Sequence, residues 1–201
     1  MNLIISPHAD DEVIGCGGYI HQCVVKPFVY FCGIDAFHQV SQSDRMKEVG
    51  AVSKYLGYKC DANFFSTVNG YRVVDFIDVF QDEINRTKPD KIFIPYPSYN
   101  QDHQTIHHAA MIALRPHDRN FFVKKVLVYE GMGAFQWMNN NYKPNYFVPI
   151  DVEAKIEAYK LHKSQVREFR SFDHVRALAK LRGSQIGVPY AEAFMIERWV
   201  E

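Results

Sequence analysis

Four ionisable side chains fall within five consecutive positions of the stretch SPHADDEVIGCGG: His8, Asp10, Asp11 and Glu12. They cannot all sit against a core unpaired, because stripping water from a bare charge is very costly. A solvated helix start accounts for the three acids, since carboxylates are favourable at the positive end of a helix dipole. It does not account for His8. Nor does it account for Gly15, Gly17 and Gly18, each of which would weaken an exposed helix by roughly 1 kcal/mol relative to Ala; they point instead to close backbone packing. A second concentration lies in PSYNQDHQTIHH, where Asp102, His103, His107 and His108 supply one carboxylate and three imidazoles. A histidine and a carboxylate from the first stretch, with a histidine from the second, make a three-ligand set that suits a catalytic zinc with an open position for water. His103 and His107, at i and i+4, could share a helix face, so either can be the ligand. If one acid of the doublet binds metal, its neighbour is free to accept a proton from water at that metal. The residues alone leave open which acid does which.

These two stretches become neighbours only if the elements around them bring them together. NLIIS reads as a first strand and PFVYFCG as a second. SQSDRMKEVGAVSKYLGY comes next as a helix, with Val49, Val52 and Leu56 at helical spacing, serines before it and Gly57 as its stop. ANFFS is a short strand candidate. YRVVDFIDVFQDEINRTKPD carries Val73, Ile77, Phe80 and Ile84 on one stripe and ends at Lys-Pro. KIFIPYP is a buried strand, DHQTIHHAAMIALRP a helix closed by Pro116, and KKVLVYEG a further strand. Residues 131–147, GMGAFQWMNNNYKPNYF, break the periodicity and read as a long loop or partial lid, with a partner-binding surface as the alternative. Helices from Val152 to about Gln165 and from about Asp173 to Leu181 complete the chain, with FMIERWV as an edge strand. The alternation predicts a single α/β domain over residues 1–201, a mostly parallel Rossmann-like sheet with helices on both faces. In such sheets ligands lie outside the carboxyl ends of the strands, where SPHADDE and PSYNQDHQTIHH both fall.

Composition narrows the classes. The chain has 201 residues, 47% of them hydrophobic, enough for one core. Lys plus Arg and Asp plus Glu both number 23, so nothing suggests a basic face for nucleic acid or an anionic membrane. MNLIISPHADD lacks the basic start and long apolar run of a signal peptide, and no stretch approaches a membrane span. Cys16, Cys23, Cys32 and Cys60 are scattered, with no CxxC spacing, and read as reduced thiols. The expectation is a cytoplasmic globular protein, with a homo-oligomer left open.

PHADDE closely resembles the (A/P)HPDDE signature of the LmbE-like, or PIG-L, family of zinc-dependent de-N-acetylases, with Ala9 in place of the usual proline. RMKEVGAVSKYLG is similar to the family's R-x-x-E-x-x-x-A-x-x-x-LG helix, NQDH stands where its H-P-D-H-like motif lies, and KLHKSQ…RG…G…YAEAF is similar to its C-terminal pattern. The matches run in order through nearly the whole chain. The resemblance implies the LmbE-like fold, zinc held by His8, Asp11 and His103, and Asp10 as general base. It makes Asp102 a partner that orients an imidazole, and Arg45 a contact to the substrate sugar; an ion pair with Glu48 is the plainer reading of Arg45. It further implies removal of the N-acetyl group from an N-acetylglucosamine-type amino sugar or its conjugate. An amidase acting on a thiol-sugar or other acyl-amino compound is the nearest alternative. Asn100 departs from the pattern, standing where many members have a histidine credited with stabilising the oxyanion or protonating the amine. An asparagine amide can donate to an oxyanion but cannot deliver a proton at neutral pH, so the acid role falls to protonated Asp10 or to another histidine such as His107 or His162. Two other classes stand against the enzyme. An acidic doublet after the first strand also suits a Mg²⁺-binding receiver module, against which the imidazoles favour zinc. A sugar-binding protein that lost catalysis is the other.

Overall fold

The computed structural model describes residues 1–34, 40–63, 67–132 and 141–201. Strand β1 (Leu3–Ser6) is buried throughout, and its side chains divide between two faces. Leu3 and Ile5 pack into one apolar cluster and Ile4 into the other, as a strand covered on both sides must. The same holds for β4 (Lys91–Pro95) and β5 (Lys125–Tyr129), which makes their apolar runs continuous rather than alternating. With β2 (Phe28–Phe31) and β3 (Lys59–Ala62) these strands form a parallel set in the order β3-β2-β1-β4-β5. Two further strands, β6 (Tyr146–Pro149) and β7 (Ala191–Trp199), complete the sheet as β5-β7-β6, with β7 antiparallel to both neighbours.

Helices α1 (Asp11–Gln22), α2 (Gln42–Leu56), α5 (Val152–Leu161) and α6 (Phe172–Ser184) cover one face. The other is covered by α3 (Val73–Thr87) and α4 (Gln101–Ala113). Serine and glycine bound α2 as the sequence predicts: Ser41 accepts from the Asp44 amide, and Gly57 turns the chain at φ 79°. The glycines of α1 permit contact that a side chain would forbid. A Cβ on Gly15 would lie 2.2 Å from the Tyr129 ring, and one on Gly18 would lie 2.6 Å from Ile150. The middle of α1 is also tied down by charge. Glu192 of β7 accepts from the Gly18 and Tyr19 amides at 2.8 and 2.7 Å, while Lys155 of α5 bridges Glu192 and the Ile14 carbonyl at 2.7 and 2.6 Å.

Several expectations need correction. FMIERWV is the later part of a longer strand: β7 starts at Ala191, and Tyr146–Pro149, which overlaps the end of the expected loop, pairs with Ala191–Phe194 as an unexpected further strand, while β7 beyond Phe194 pairs on one side only, with β5. The third strand is polar KCDA ending at Ala62 rather than ANFFS, since an edge strand needs no apolar run; residues 64–66 of that expectation lie outside the described residues. The buried stripe of α3 runs through Phe76, Phe80 and Ile84, leaving Val73 and Ile77 half-buried, because the bulk of Phe76 takes the inward position. The helix from Val152 stops at Leu161, and Lys163–Gln165 form a separate 3₁₀ turn after His162. Within the expected lid of 131–147, residues 133–140 lie outside the described residues. The four cysteines are free thiols, and no helix among the described residues is long and apolar enough to cross a membrane.

Candidate metal centre and cleft

Strand order reverses between β1 and β4, whose crossovers leave in opposite directions, so a crevice opens at their carboxyl ends. The segment after β1 carries His8 to Asp11 into the start of α1, and the segment after β4 carries Asn100 to His103 into the start of α4. Sequence positions almost a hundred residues apart thus meet at one point. One ligand atom each from His8, Asp11 and His103 lies within 4.8 Å of the others. Asp11 Oδ2 is the hub, 3.2 Å from His8 Nδ1 and 3.1 Å from His103 Nε2. Two imidazoles and a carboxylate facing one point are the donor set of a catalytic divalent-metal site with room for water. Asp102 reaches His8 from the far side of the ring, its Oδ2 2.9 Å from Nε2, and is itself fixed by the Asn69 amide at 2.7 Å. That contact leaves Nδ1 of His8 as the atom turned toward Asp11 and orients the ring, as carboxylates do behind metal-bound histidines.

The acids are not a solvated helix start: Asp10, Asp11 and Glu12 are only 1%, 4% and 0% exposed. Each is held differently. For Asp11, burial opposes the charge, but the His103 and His8 rings outweigh it and hold the carboxyl well below its ordinary range. Asp10 is shifted upward, by burial first and then by the Asp11 charge, against Arg170, His162 and His8. His8 is pushed up to about 9: burial opposes its charge, and the Asp102 and Asp11 carboxylates prevail. Glu12 faces away from the metal point, taking His162 Nε2 at 2.7 Å and the Tyr58 hydroxyl at 3.1 Å, and accepting the Asp10 amide at 3.0 Å. It braces the loop.

The cleft beside this cluster, about 210 Å³, is lined by His8, Asp10, Arg45, Asn100, Arg167 and Arg170 among others. Asp10 Oδ2 takes Arg170 Nη1 at 3.2 Å, while Oδ1 is buried without a hydrogen-bond partner among the described residues. Asn100 caps α4, its Oδ1 accepting the Asp102 and His103 amides at 2.8 and 3.3 Å, which leaves Nδ2 as its donor. Arg45 is buried, donates to the Ala9 carbonyl and to Ser164 Oγ, and stands 3.8 Å from Glu48, so the ion pair and the place in the cleft coexist. His107 turns Nδ1 to the Pro95 carbonyl, His108 is exposed, and His162 is sealed against Glu12; none of the three lines the cleft. Sequence reasoning missed Arg167 and Arg170. Neither belongs to a recognised motif, although both come soon after HKSQ, which was the available signal.

The profile of the family described as "PIG-L: GlcNAc-PI de-N-acetylase" matches residues 3–114, more than half of the chain and both loops of the site. Among solved structures, N,N'-diacetylchitobiose deacetylase from Pyrococcus horikoshii is similar over 98% of this chain and 83% of its own, with 23% identity and a TM-score of 0.81. A deacetylase of the teicoplanin biosynthesis pathway is similar over 97% of this chain and 96% of its own, at 18% identity and a TM-score of 0.78. GalB, the 4-carboxy-2-hydroxymuconate hydratase of Pseudomonas putida KT2440, matches over 100% and 98% at 18% identity and a TM-score of 0.81. At these identities the likeness shows a shared fold, and that fold carries hydration as well as deacetylation.

Proposed function

This chain belongs to the PIG-L family, and from that premise we propose that it is a zinc-dependent hydrolase that removes the acetyl group from an N-acetylated amino sugar. N-acetylglucosamine or a conjugate of it is the substrate the family favours. One juxtaposition supports the reading above all: His8, which shares its donor cluster with Asp11 and His103, lines the same cleft as Asp10, whose buried Oδ1 has no partner among the described residues. A buried acceptor left unpaired is costly, and a site that keeps one has use for it.

His8, Asp11 and His103 would hold the ion, and their nitrogen content favours zinc over a hard cation. When bound, such an ion would polarise the amide carbonyl and lower the pKa of water toward roughly 7. The remaining work belongs to the chain's own groups. Asp10 Oδ1 accepts the proton of the attacking water, while the Arg170 contact to Oδ2 keeps the carboxylate from turning away. Asn100 Nδ2 donates to the oxygen that becomes negative as the carbonyl is attacked. With His107 and His162 both engaged outside the cleft, the proton for the departing nitrogen comes back from Asp10, which serves as base and then as acid. Arg45, fixed by Ala9 and Ser164, meets the sugar.

The test is a panel of N-acylated sugars incubated with zinc-loaded protein and monitored by mass spectrometry. The expected result is acetate with the matching free amine from at least one N-acetylglucosamine conjugate. Intact amides throughout, with an unsaturated acid hydrated instead, would place the chain with the hydratase chemistry of its fold.

A further inference from the structure

Glu48 of α2 faces the 3₁₀ turn at Lys163–Gln165 and has no part in the proposed chemistry. It forms an ion pair with Arg45, yet its Oε2 stands 3.8 Å from Arg45 Nη1, beyond hydrogen-bond reach. Both of its oxygens are occupied by one residue instead. Oε1 accepts the Ser164 amide at 2.9 Å, and Oε2 accepts the Ser164 hydroxyl at 2.6 Å. A serine hydroxyl has one hydrogen and two lone pairs. With the hydrogen committed to Glu48, both lone pairs face donors, Arg45 Nη1 at 2.8 Å and Gln165 Nε2 at 3.1 Å. The hydroxyl is saturated, and the carboxylate sets its direction. Arg45 and Gln165 are only 5% and 4% exposed and both line the cleft, whereas Glu48 and Ser164 are not among its lining residues. Arg45 is also held by the Ala9 carbonyl, 3.0 Å from Nη2, and its Nε is buried without a partner among the described residues. A planar guanidinium pinned through Nη1 and Nη2 gives its remaining donor a fixed direction. If the Ser164 hydrogen turned from Glu48 toward Arg45, donor would meet donor and the Nη1 end would come loose.

We propose that Glu48 is a positioning residue that acts through the Ser164 hydroxyl, orienting it so that Arg45 and Gln165 hold their donors ready for the substrate. The relay rests on the deacetylase reading for what those donors meet, and on the contacts alone for the grip on Arg45. Two measurements on zinc-loaded protein test it. The first is hydrogen exchange at Arg45 Nε followed by NMR, with the resonance identified by its loss in Arg45→Lys. Glu48→Gln keeps the shape of the side chain but replaces one acceptor with a donor, so the Ser164 amide and hydroxyl can no longer both be accepted. Exchange at Arg45 Nε should quicken about tenfold or more in Glu48→Gln and in Ser164→Ala, the scale of one hydrogen bond to a charged group. The β1 amides should keep their native exchange in both variants, which a merely structural loss would not allow. The second is the kinetics of acetate release from an N-acetylglucosamine conjugate. In Glu48→Gln, KM should rise about tenfold while kcat stays within about threefold, as when a contact shared by ground and transition states is weakened. The proposal is overturned if Arg45 Nε exchanges no faster in Glu48→Gln than in the unaltered protein. It is overturned equally if the β1 amides lose protection in step with Arg45, or if acetate is released with KM unchanged. Faster exchange at Arg45 alone, in a protein that releases acetate from no conjugate even when unaltered, would retire the deacetylase reading and leave the relay standing.

Discussion

Asp10 and Asp11 are chemically identical neighbours with opposite surroundings, and the division of labour proposed for them stems from where each carboxylate points. Asp11 Oδ2 gathers both imidazoles, while Asp10 keeps one oxygen on Arg170 and the other unpartnered among the described residues. Changing Asp10 to Asn removes the proton acceptor without touching the three ligand atoms. The expected outcome is unchanged zinc content by metal analysis, with turnover lower by about 100-fold or more, the usual scale for loss of a general base. Full turnover in this variant would remove Asp10 from that role. The doublet itself was legible in the sequence, because four ionisable groups in five positions demand an explanation. Which acid does which was not legible from spacing, since adjacent residues at a helix start differ in direction rather than in type. Arg170 was harder still, being 160 residues away from the aspartate it contacts.

At the scale of elements, Asn100 does two jobs with the two ends of one amide. Its Oδ1 satisfies the first free amides of α4 and thereby aims His103, while Nδ2 is left for the cleft. The two jobs separate by substitution. Asn100→Ala should cost about 1 kcal/mol of stability through the lost cap and lower turnover as well. Asn100→Asp keeps an acceptor of similar capping strength, so its urea midpoint should stay near that of the unaltered protein while turnover falls. Full activity in Asn100→Asp would show that the donor is idle. The elements the sequence disclosed best were those buried on both faces, such as LIIS and KIFIP, whose apolar runs have no other use. The elements it hid were those at the margins. Polar KCDA pairs along one edge, and YFVP pairs along the other behind an asparagine-rich stretch. An edge strand is specified by its neighbour's open hydrogen bonds more than by its own side chains.

Across the whole molecule, the site exists because two loops far apart in sequence are clamped by buried charge. His162 and Glu12, both 0% exposed, join the turn after α5 to the start of α1. Asp10 of the α1 start and Arg45 of α2 are the other charged groups that act on this imidazole. Burial opposes its charge, but the Glu12 and Asp10 carboxylates prevail and raise its pKa in the fold. A raised histidine stabilises most below its unfolded pKa of roughly 6.5, and that contribution is lost as pH climbs through the folded value. The urea midpoint of the native chain minus that of His162→Gln, taken on metal-free protein, should therefore shrink as pH rises above the unfolded pKa of roughly 6.5. A difference that grows over the same range would mean His162 is buried neutral. The chain-wide order of the motifs made the family legible. The closure of those motifs into one clamped crevice depends on the strand reversal between β1 and β4, which no local pattern encodes. The most direct measurement is the anomalous scattering of zinc in a crystal of the zinc-loaded protein. The expected map shows one ion bonded to His8, Asp11 and His103, with the Asp10 carboxylate nearby but outside its coordination shell. No ion at that point, or an ion held by Asp10 or His107 with His103 turned away, would contradict the assignment.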